Sequence, residues 1–289
     1  MRNVLKLLVV AAIILCTQAV WVQGQYPSGT TSNTPQYPTT GKNLTFTVNG
    51  VSFEMIFVKS GMFLMGCTGE QSNCSSDEKP SHSVSLSSYY IGKFTVTQKL
   101  WRAVMGTTIR QQRNLANSNS LYGEGDDYPM YYINYIECEE FCANLNKLLS
   151  SQLPEGYKFC LPTEAQWEYA ARGGKNSKGY KYSGSDYIND VAWYDGNSGE
   201  KTHEVGMKNK NELGIFDMSG NVWEWCHDWK GDYSISSKSN PKGSSYSSYR
   251  VLRGGSWRLN ARLCCVYSRA GDIPGFRSYA CGFRLALVL

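Results

Sequence analysis

Polar and apolar residues alternate from residue 44 onward in a pattern that predicts a β-hairpin. Leu44-Thr-Phe-Thr-Val48 has period two, Asn49-Gly50 supplies a type I′ turn, and residues 51–58 return with the same alternation. A second extended run covers residues 84–94. It leads into residues 96–105, where Leu100, Trp101 and Val104 fall at helical spacing behind Thr97, a residue suited to the N-cap. Residues 136–149 predict another helix, with Phe141, Leu145, Leu148 and Leu149 on one face and acids at its start, where the helix dipole favours them. Thr163-Glu-Ala-Gln166 reads as a capping box, followed by Trp167, Tyr169, Ala170 and Ala171 and stopped by Gly173-Gly174. Beyond Gly174 the apolar bursts are short and turn residues frequent. Early helices followed by a long, glycine-rich, irregular region predict an α+β chain with much loop.

Ahead of the hairpin, Arg2 and Lys6 accompany an apolar run over residues 4–16, which reads as an export signal spanning residues 1–24, with cleavage after Ala19 or Gly24. A lipid anchor at Cys16 is the alternative, although Ile13-Ile14-Leu15 lacks the small residues such a site carries. Residues 25–42 are rich in Ser, Thr, Pro, Gly and Asn and read as a flexible linker, leaving 43–289 as the folded domain. The expected location is outside the cell, secreted or at its surface. No later apolar run approaches the ~20 residues of a membrane-spanning helix.

Composition narrows the function. The net charge of +5 comes from 29 basic and 24 acidic residues without any run of like charge, too diffuse to argue for nucleic acid. The 20 Tyr and 8 Trp are a better clue, since such side chains favour recognition surfaces. Losing Cys16 with the signal leaves nine of the 10 cysteines, an odd number, so one thiol stays free or pairs between chains. Cys67 and Cys74 bracket a short polar loop and are either bridged or two unpaired loop cysteines. Cys138 and Cys142 lie one helical turn apart. With only three histidines in the chain and none nearby, they read as core residues rather than a metal pair. His82, His203 and His227 stand in separate contexts without nucleophile-elbow or zinc spacing.

Three blocks then stand out: Leu161-Pro-Thr-Glu-Ala-Gln-Trp-Glu-Tyr-Ala-Ala-Arg-Gly-Gly174, Gly214-Ile-Phe-Asp-Met-Ser-Gly-Asn-Val-Trp-Glu-Trp225 and Arg250-Val-Leu-Arg-Gly-Gly-Ser-Trp257. Together with Phe57-Val-Lys-Ser-Gly-Met-Phe-Leu-Met-Gly66, Lys93-Phe-Thr-Val-Thr-Gln98 and Gly282-Phe-Arg-Leu-Ala286, they resemble the formylglycine-generating enzyme (sulfatase-modifying factor) family over nearly all of residues 53–289. The resemblance implies a C-type-lectin-like variant fold, low in regular secondary structure. It also implies calcium, with Asp217 and Glu224 as carboxylates and the carbonyls of Gly220 and Val222 between them, a hard oxygen set. A weaker second site would involve Asn189, Asp190 and Ala192. The enzymes of the family hold copper(I) between two cysteines five residues apart after the Gly-Gly-Ser block. Here those positions are Leu259 and Cys264, and a leucine offers copper no soft ligand, so Cys264 is the only retained family position.

Residues 258–281 contain no Lys, Glu, Gln, Met or Trp. Randomising the adenines of AAC or AAT codons can never produce those residues. Segment and flanks also resemble the variable region of target proteins of diversity-generating retroelements. On that resemblance Ala261, Arg262, Cys264, Val266, Arg269, Pro274 and Arg277 would be scaffold. The altered, ligand-binding positions would be Arg258, Leu259, Asn260, Leu263, Cys265, Ser268, Ala270, Gly271, Asp272, Ile273, Gly275, Phe276, Ser278, Tyr279, Ala280 and Cys281. The sequence therefore predicts an exported binding protein, calcium-stabilised, whose partner is an extracellular protein or glycan. The rival readings are a copper-dependent formylglycine-generating oxidase acting on sulfatase cysteines and a structural envelope component.

Overall fold

A computed structural model describes residues 41–68 and 73–289. The export signal and all but the end of the linker lie outside the described residues. In chain order the elements are β1 (Leu44–Val48), β2 (Val51–Val58), β3 (Gly61–Met65), β4 (His82–Leu86), β5 (Tyr89–Gly92), α1 (Gln98–Met105), α2 (Ile109–Leu115), α3 (Tyr135–Leu148), β6 (Lys158–Cys160), α4 (Glu164–Ala171), α5 (Ile188–Val191), β7 (Trp223–Trp229), β8 (Lys238–Ser239), β9 (Arg250–Arg253), β10 (Arg269–Asp272), β11 (Cys281–Gly282) and β12 (Ala286–Val288). They build three small sheets, ordered β1-β2-β5-β12-β6, β10-β9-β7-β11 and β3-β4-β8.

The hairpin forms as predicted, with Val48 facing Val51 across Asn49-Gly50, both of which have positive φ. Thr97 caps α1 by accepting from the Leu100 amide at 3.2 Å. Thr163 and Gln166 form the reciprocal capping box of α4, at 2.9 and 3.2 Å. The helix expected at 136–149 occupies Tyr135–Leu148, one residue earlier, because Asn134 takes the N-cap and Glu137 closes its own capping box. The extended run at 84–94 divides into β4 and β5, which belong to different sheets.

Two clusters of buried side chains form the core. One gathers Trp101, Phe141, Phe159, Trp225 and Phe283 beneath the hairpin, α1 and α3; Cys138, Cys142 and Cys281 belong to it. The other surrounds Trp167, with Ile91, Val251, Cys226, Cys264 and Cys265. Cys67 and Cys74 are joined by a disulfide with their Cα atoms 6.2 Å apart. Both members of the Cys138 and Cys142 pair are buried, as core cysteines are.

This arrangement fixes the ends of the C-terminal segment. Strand β10 runs antiparallel to β9, pairing Arg269 with Arg253 and Asp272 with Arg250. Strand β11 pairs with β7, and β12 enters the first sheet between β5 and β6. Gly255 starts the intervening loop at φ +75°, and a Cβ there would lie 2.6 Å from the Cys264 sulfur and 2.7 Å from the Leu263 carbonyl. Only glycine accepts both conditions.

Candidate ligand-binding surface

The arginines of residues 258–281 divide sharply in their surroundings. Arg269 is buried and gives two hydrogen bonds to Glu164, at 2.8 and 2.7 Å, and two more to the carbonyls of Asp77 and Gly231. Burial alone would raise the Glu164 carboxyl, but Arg269 and Arg253 beside it hold it below the usual carboxylate value. Arg277 forks onto Glu137 at 2.5 and 2.8 Å and also reaches Gln112 and the Tyr132 carbonyl. Arg262 bonds Glu78, Ser75 and the Asn73 carbonyl. On the flanking strand, Arg253 pairs with Glu168.

These carboxylates have a common origin. Glu137 and Glu78 close capping boxes, Glu164 opens α4, and Glu168 lies one turn later. Glutamates at helix starts therefore serve two purposes. They satisfy or complement the first turn, and they fasten the loop that crosses it. Arg258 differs: it is exposed, forms no ion pair among the described residues, and lies over the Tyr279 ring at 5.2 Å.

The expected altered positions separate likewise. Arg258, Asn260, Ile273, Gly275 and Phe276 are exposed, and Leu259, Leu263, Ala270, Gly271, Asp272, Ser278 and Tyr279 are half-buried. Four do not reach the surface: Cys265, Ser268, Ala280 and Cys281 are buried. That corrects the expectation that all sixteen could face a ligand. Cys265 follows a single 3-10 turn, Ala261–Cys264, and packs into the core around Trp167. Ser268 precedes β10 and its carbonyl accepts from Arg253, while Ala280 leads into β11 and Cys281 opens it. Of the residues read as scaffold, Cys264, Val266 and Arg269 are buried, Arg262 and Arg277 are ion-paired, and Ala261 and Pro274 are half-buried.

The exposed loop is held from beneath. Tyr132 and Tyr135 donate backbone hydrogen bonds to the carbonyls of Ser278 and Pro274 at 2.8 and 3.1 Å. Phe276, between those anchors, is 37% exposed, Ile273, just before them, is 51% exposed, and Ile136, on the first turn of α3, is 58% exposed. Nearby, Tyr122, Asp195, Ser198, Glu200, Trp257, Arg258 and Tyr279 line a cavity of about 360 Å³. Tyr122 stacks on Trp257 at 5.1 Å and meets Tyr279 at 4.8 Å. Of these residues the sequence reading had singled out only Arg258 and Tyr279. Trp257, next to Arg258, closes the Arg250–Trp257 block, while Tyr122 and the residues between 195 and 200 come from two distant stretches that no local pattern marks. A larger cavity of about 520 Å³ lies between residues 45–55 and 92–100 and contains none of the expected altered positions.

The proposed metal positions do not fit calcium. Glu224 is fully buried, and each of its oxygens already accepts two hydrogen bonds. Thr95 and Arg284 donate to one at 2.7 and 2.9 Å, and Trp167 and Arg284 to the other at 2.7 and 2.6 Å. A carboxylate has about four lone-pair sites, so none remains for an ion. The Arg284 guanidinium supplies the positive charge there. Asp217 accepts from the Gly206 amide at 2.8 Å, and burial pushes its carboxyl up to about 6. With Glu224 closed, the carbonyls of Gly220 and Val222 have no carboxylate pair to complete. At the weaker site, Lys208 bonds the Asn189 carbonyl, and Asn197 bonds both the Asn189 side chain and the Ala192 carbonyl. Copper fits no better. Leu259 packs against the core around Phe141, and burial pushes the Cys264 thiol well up, away from thiolate. Cys264 and Cys281 belong to different core clusters.

Comparison with known proteins gives the relatives of this fold. The profile of the sulfatase-modifying factor enzyme 1-like domain matches residues 44–289. The solved structure of Treponema denticola variable protein 1 superposes with a TM-score of 0.74 at 33% identity, covering 86% of this chain and 99% of that one. The chaperone protein LppX of Paenibacillus barcinonensis is 32% identical over 251 residues, 72% of this chain and 79% of its own length. The formylglycine-generating enzyme of Streptomyces coelicolor is 36% identical over 144 residues, 44% of this chain and 46% of the enzyme, so the match spans less than half of that relative. With the profile matched from the first hairpin strand to the last residue, the chain belongs to the sulfatase-modifying factor enzyme 1-like domain family.

Proposed function

We propose that this chain is an exported binding protein in which residues 258–281 form a diversified recognition surface on a formylglycine-generating-enzyme-like scaffold. The observation that carries the reading is the division within that segment. Arg262, Arg269 and Arg277 are tied to carboxylates, while Arg258, Asn260, Ile273, Gly275 and Phe276 face solvent. A loop fastened in this way can change its outward side chains without changing its path, as a paratope requires. The likeness to Treponema denticola variable protein 1 supports the same reading. The partner would be an extracellular protein or glycan.

The DNA beside the gene tests it. An adenine-bearing near-copy of the region encoding residues 251–284 is expected next to a reverse transcriptase, and its absence would refute diversification. For the oxidase rival, purified protein incubated with copper(I), oxygen and a cysteine-bearing sulfatase peptide should yield no formylglycine by mass spectrometry. Any turnover would overturn the reading.

A further inference from the structure

The cavity of about 360 Å³ joins two positions expected to vary, Arg258 and Tyr279, to a wall outside the variable segment. That wall is firmly held. The Tyr122 amide donates to the Tyr131 hydroxyl at 2.8 Å, and its carbonyl accepts from the amide and hydroxyl of Thr202 at 2.7 and 2.6 Å. Trp257 donates its amide to Asn221 and its indole N–H to the Tyr279 carbonyl. The Asp195 amide donates to the Leu259 carbonyl at 3.1 Å. A cluster of three aromatic rings is thus fixed before any ligand arrives.

The charges around it are unbalanced. Asp195 and Glu200 are exposed, and neither pairs with a cation among the described residues. Against these two carboxylates stands a single guanidinium, Arg258, held only by its approach to the Tyr279 ring. Aromatic faces and carboxylates both attract cations, and the group the cavity already contains is a cation. At an exposed site such a contact is weak enough to be exchanged.

We propose that this cavity is a seat for a cationic side chain of the ligand, a lysine or arginine on a partner protein, and that Arg258 is its resident occupant. The residue at position 258 then decides whether the seat is self-filled or open. The proposal rests on the binding reading above only in taking position 258 as one that varies between copies of the protein.

Calorimetric titration of the full chain with N-acetyl-arginine methylamide tests it, with the neutral isostere N-acetyl-citrulline methylamide as control. Arg258→Ser should bind the arginine probe about tenfold more tightly than the citrulline probe, and more tightly than the unaltered protein does. Adding Asp195→Asn and Glu200→Gln to that variant should abolish the preference. All three side chains are exposed, and an unchanged near-ultraviolet circular dichroism spectrum verifies the fold. Equal affinity for both probes in Arg258→Ser, a preference that survives loss of the two acids, or equal arginine binding with and without Arg258 would each overturn the proposal. So would binding of a neutral methyl glycoside in place of the arginine probe. No partner protein enters the titration, so its failure leaves the genomic test of the binding reading untouched.

Discussion

Replacing Arg269 with serine removes the guanidinium that fastens β10 to α4. The change breaks two hydrogen bonds to Glu164 and one each to the carbonyls of Asp77 and Gly231, and takes away the cation 4.0 Å from the Tyr233 ring. Glu164, 5% exposed, is left with the Tyr233 hydroxyl at 3.1 Å and the Arg253 Nε at 3.5 Å. Removing one partner of a buried ion pair costs about 3–5 kcal/mol, because the other charge stays buried. Each kcal/mol shifts the melting temperature of a domain of this size by about 2–4 °C, so the expected fall is on the order of 10 °C. Arg258→Ser removes only an exposed cation–π contact, costing under about 1 kcal/mol, and should stay within roughly 3 °C of the unaltered protein. Thermal unfolding followed by circular dichroism compares the two. If Arg269→Ser melts as high as Arg258→Ser, the division of the segment into fastened and free arginines is wrong.

Asp228 supplies a pH test. Burial, aided by the neighbouring Glu164, pushes its carboxyl up to about 8, against the pull of the Glu164 amide and of Arg269. A carboxyl raised on folding contributes stability that is present in full below its unfolded value near ~4 and is lost as pH rises toward ~8. Asp228→Asn should therefore flatten the decline in denaturation midpoint between about pH 4 and pH 8, and an unchanged slope would contradict this. Calcium at about millimolar concentration should leave the melting temperature unmoved, since an ion bound only by the native state would raise it. A rise of several degrees would show that Glu224 can release its donors.

The hairpin, the Thr97 cap, the Thr163 capping box and the family blocks were legible in the sequence because each depends on neighbours a few residues apart. The division of β4 from β5 was not. One extended run serves two sheets there, β4 pairing with β3 and β8 and β5 with β2 and β12, and the distant partners β8 and β12 lie near residues 238 and 286. The calcium reading lacks a free carboxylate at Glu224 for a similar reason. Asp217-Met-Ser-Gly-Asn-Val-Trp-Glu224 has the oxygens of a calcium loop, but Arg284, sixty residues on, claims the carboxylate on which that loop depends.

The candidate surface shows where the boundary lies. The absence of Lys, Glu, Gln, Met and Trp from residues 258–281, and the leucine at the first copper position, are properties of the sequence alone. They marked the segment and argued against the oxidase. Which residues of the segment can meet a ligand is a matter of tertiary structure. Cys265, Ser268, Ala280 and Cys281 turn inward because the 3-10 turn and strands β10 and β11 bury the side chains that bound each loop. The fastening carboxylates, Glu78, Glu137 and Glu164, arise more than 100 residues earlier in the chain, as does Tyr122 of the aromatic cavity. No periodicity or motif connects residues so far apart. Burial and hydrogen-bond satisfaction do, and both exist only once the chain has folded.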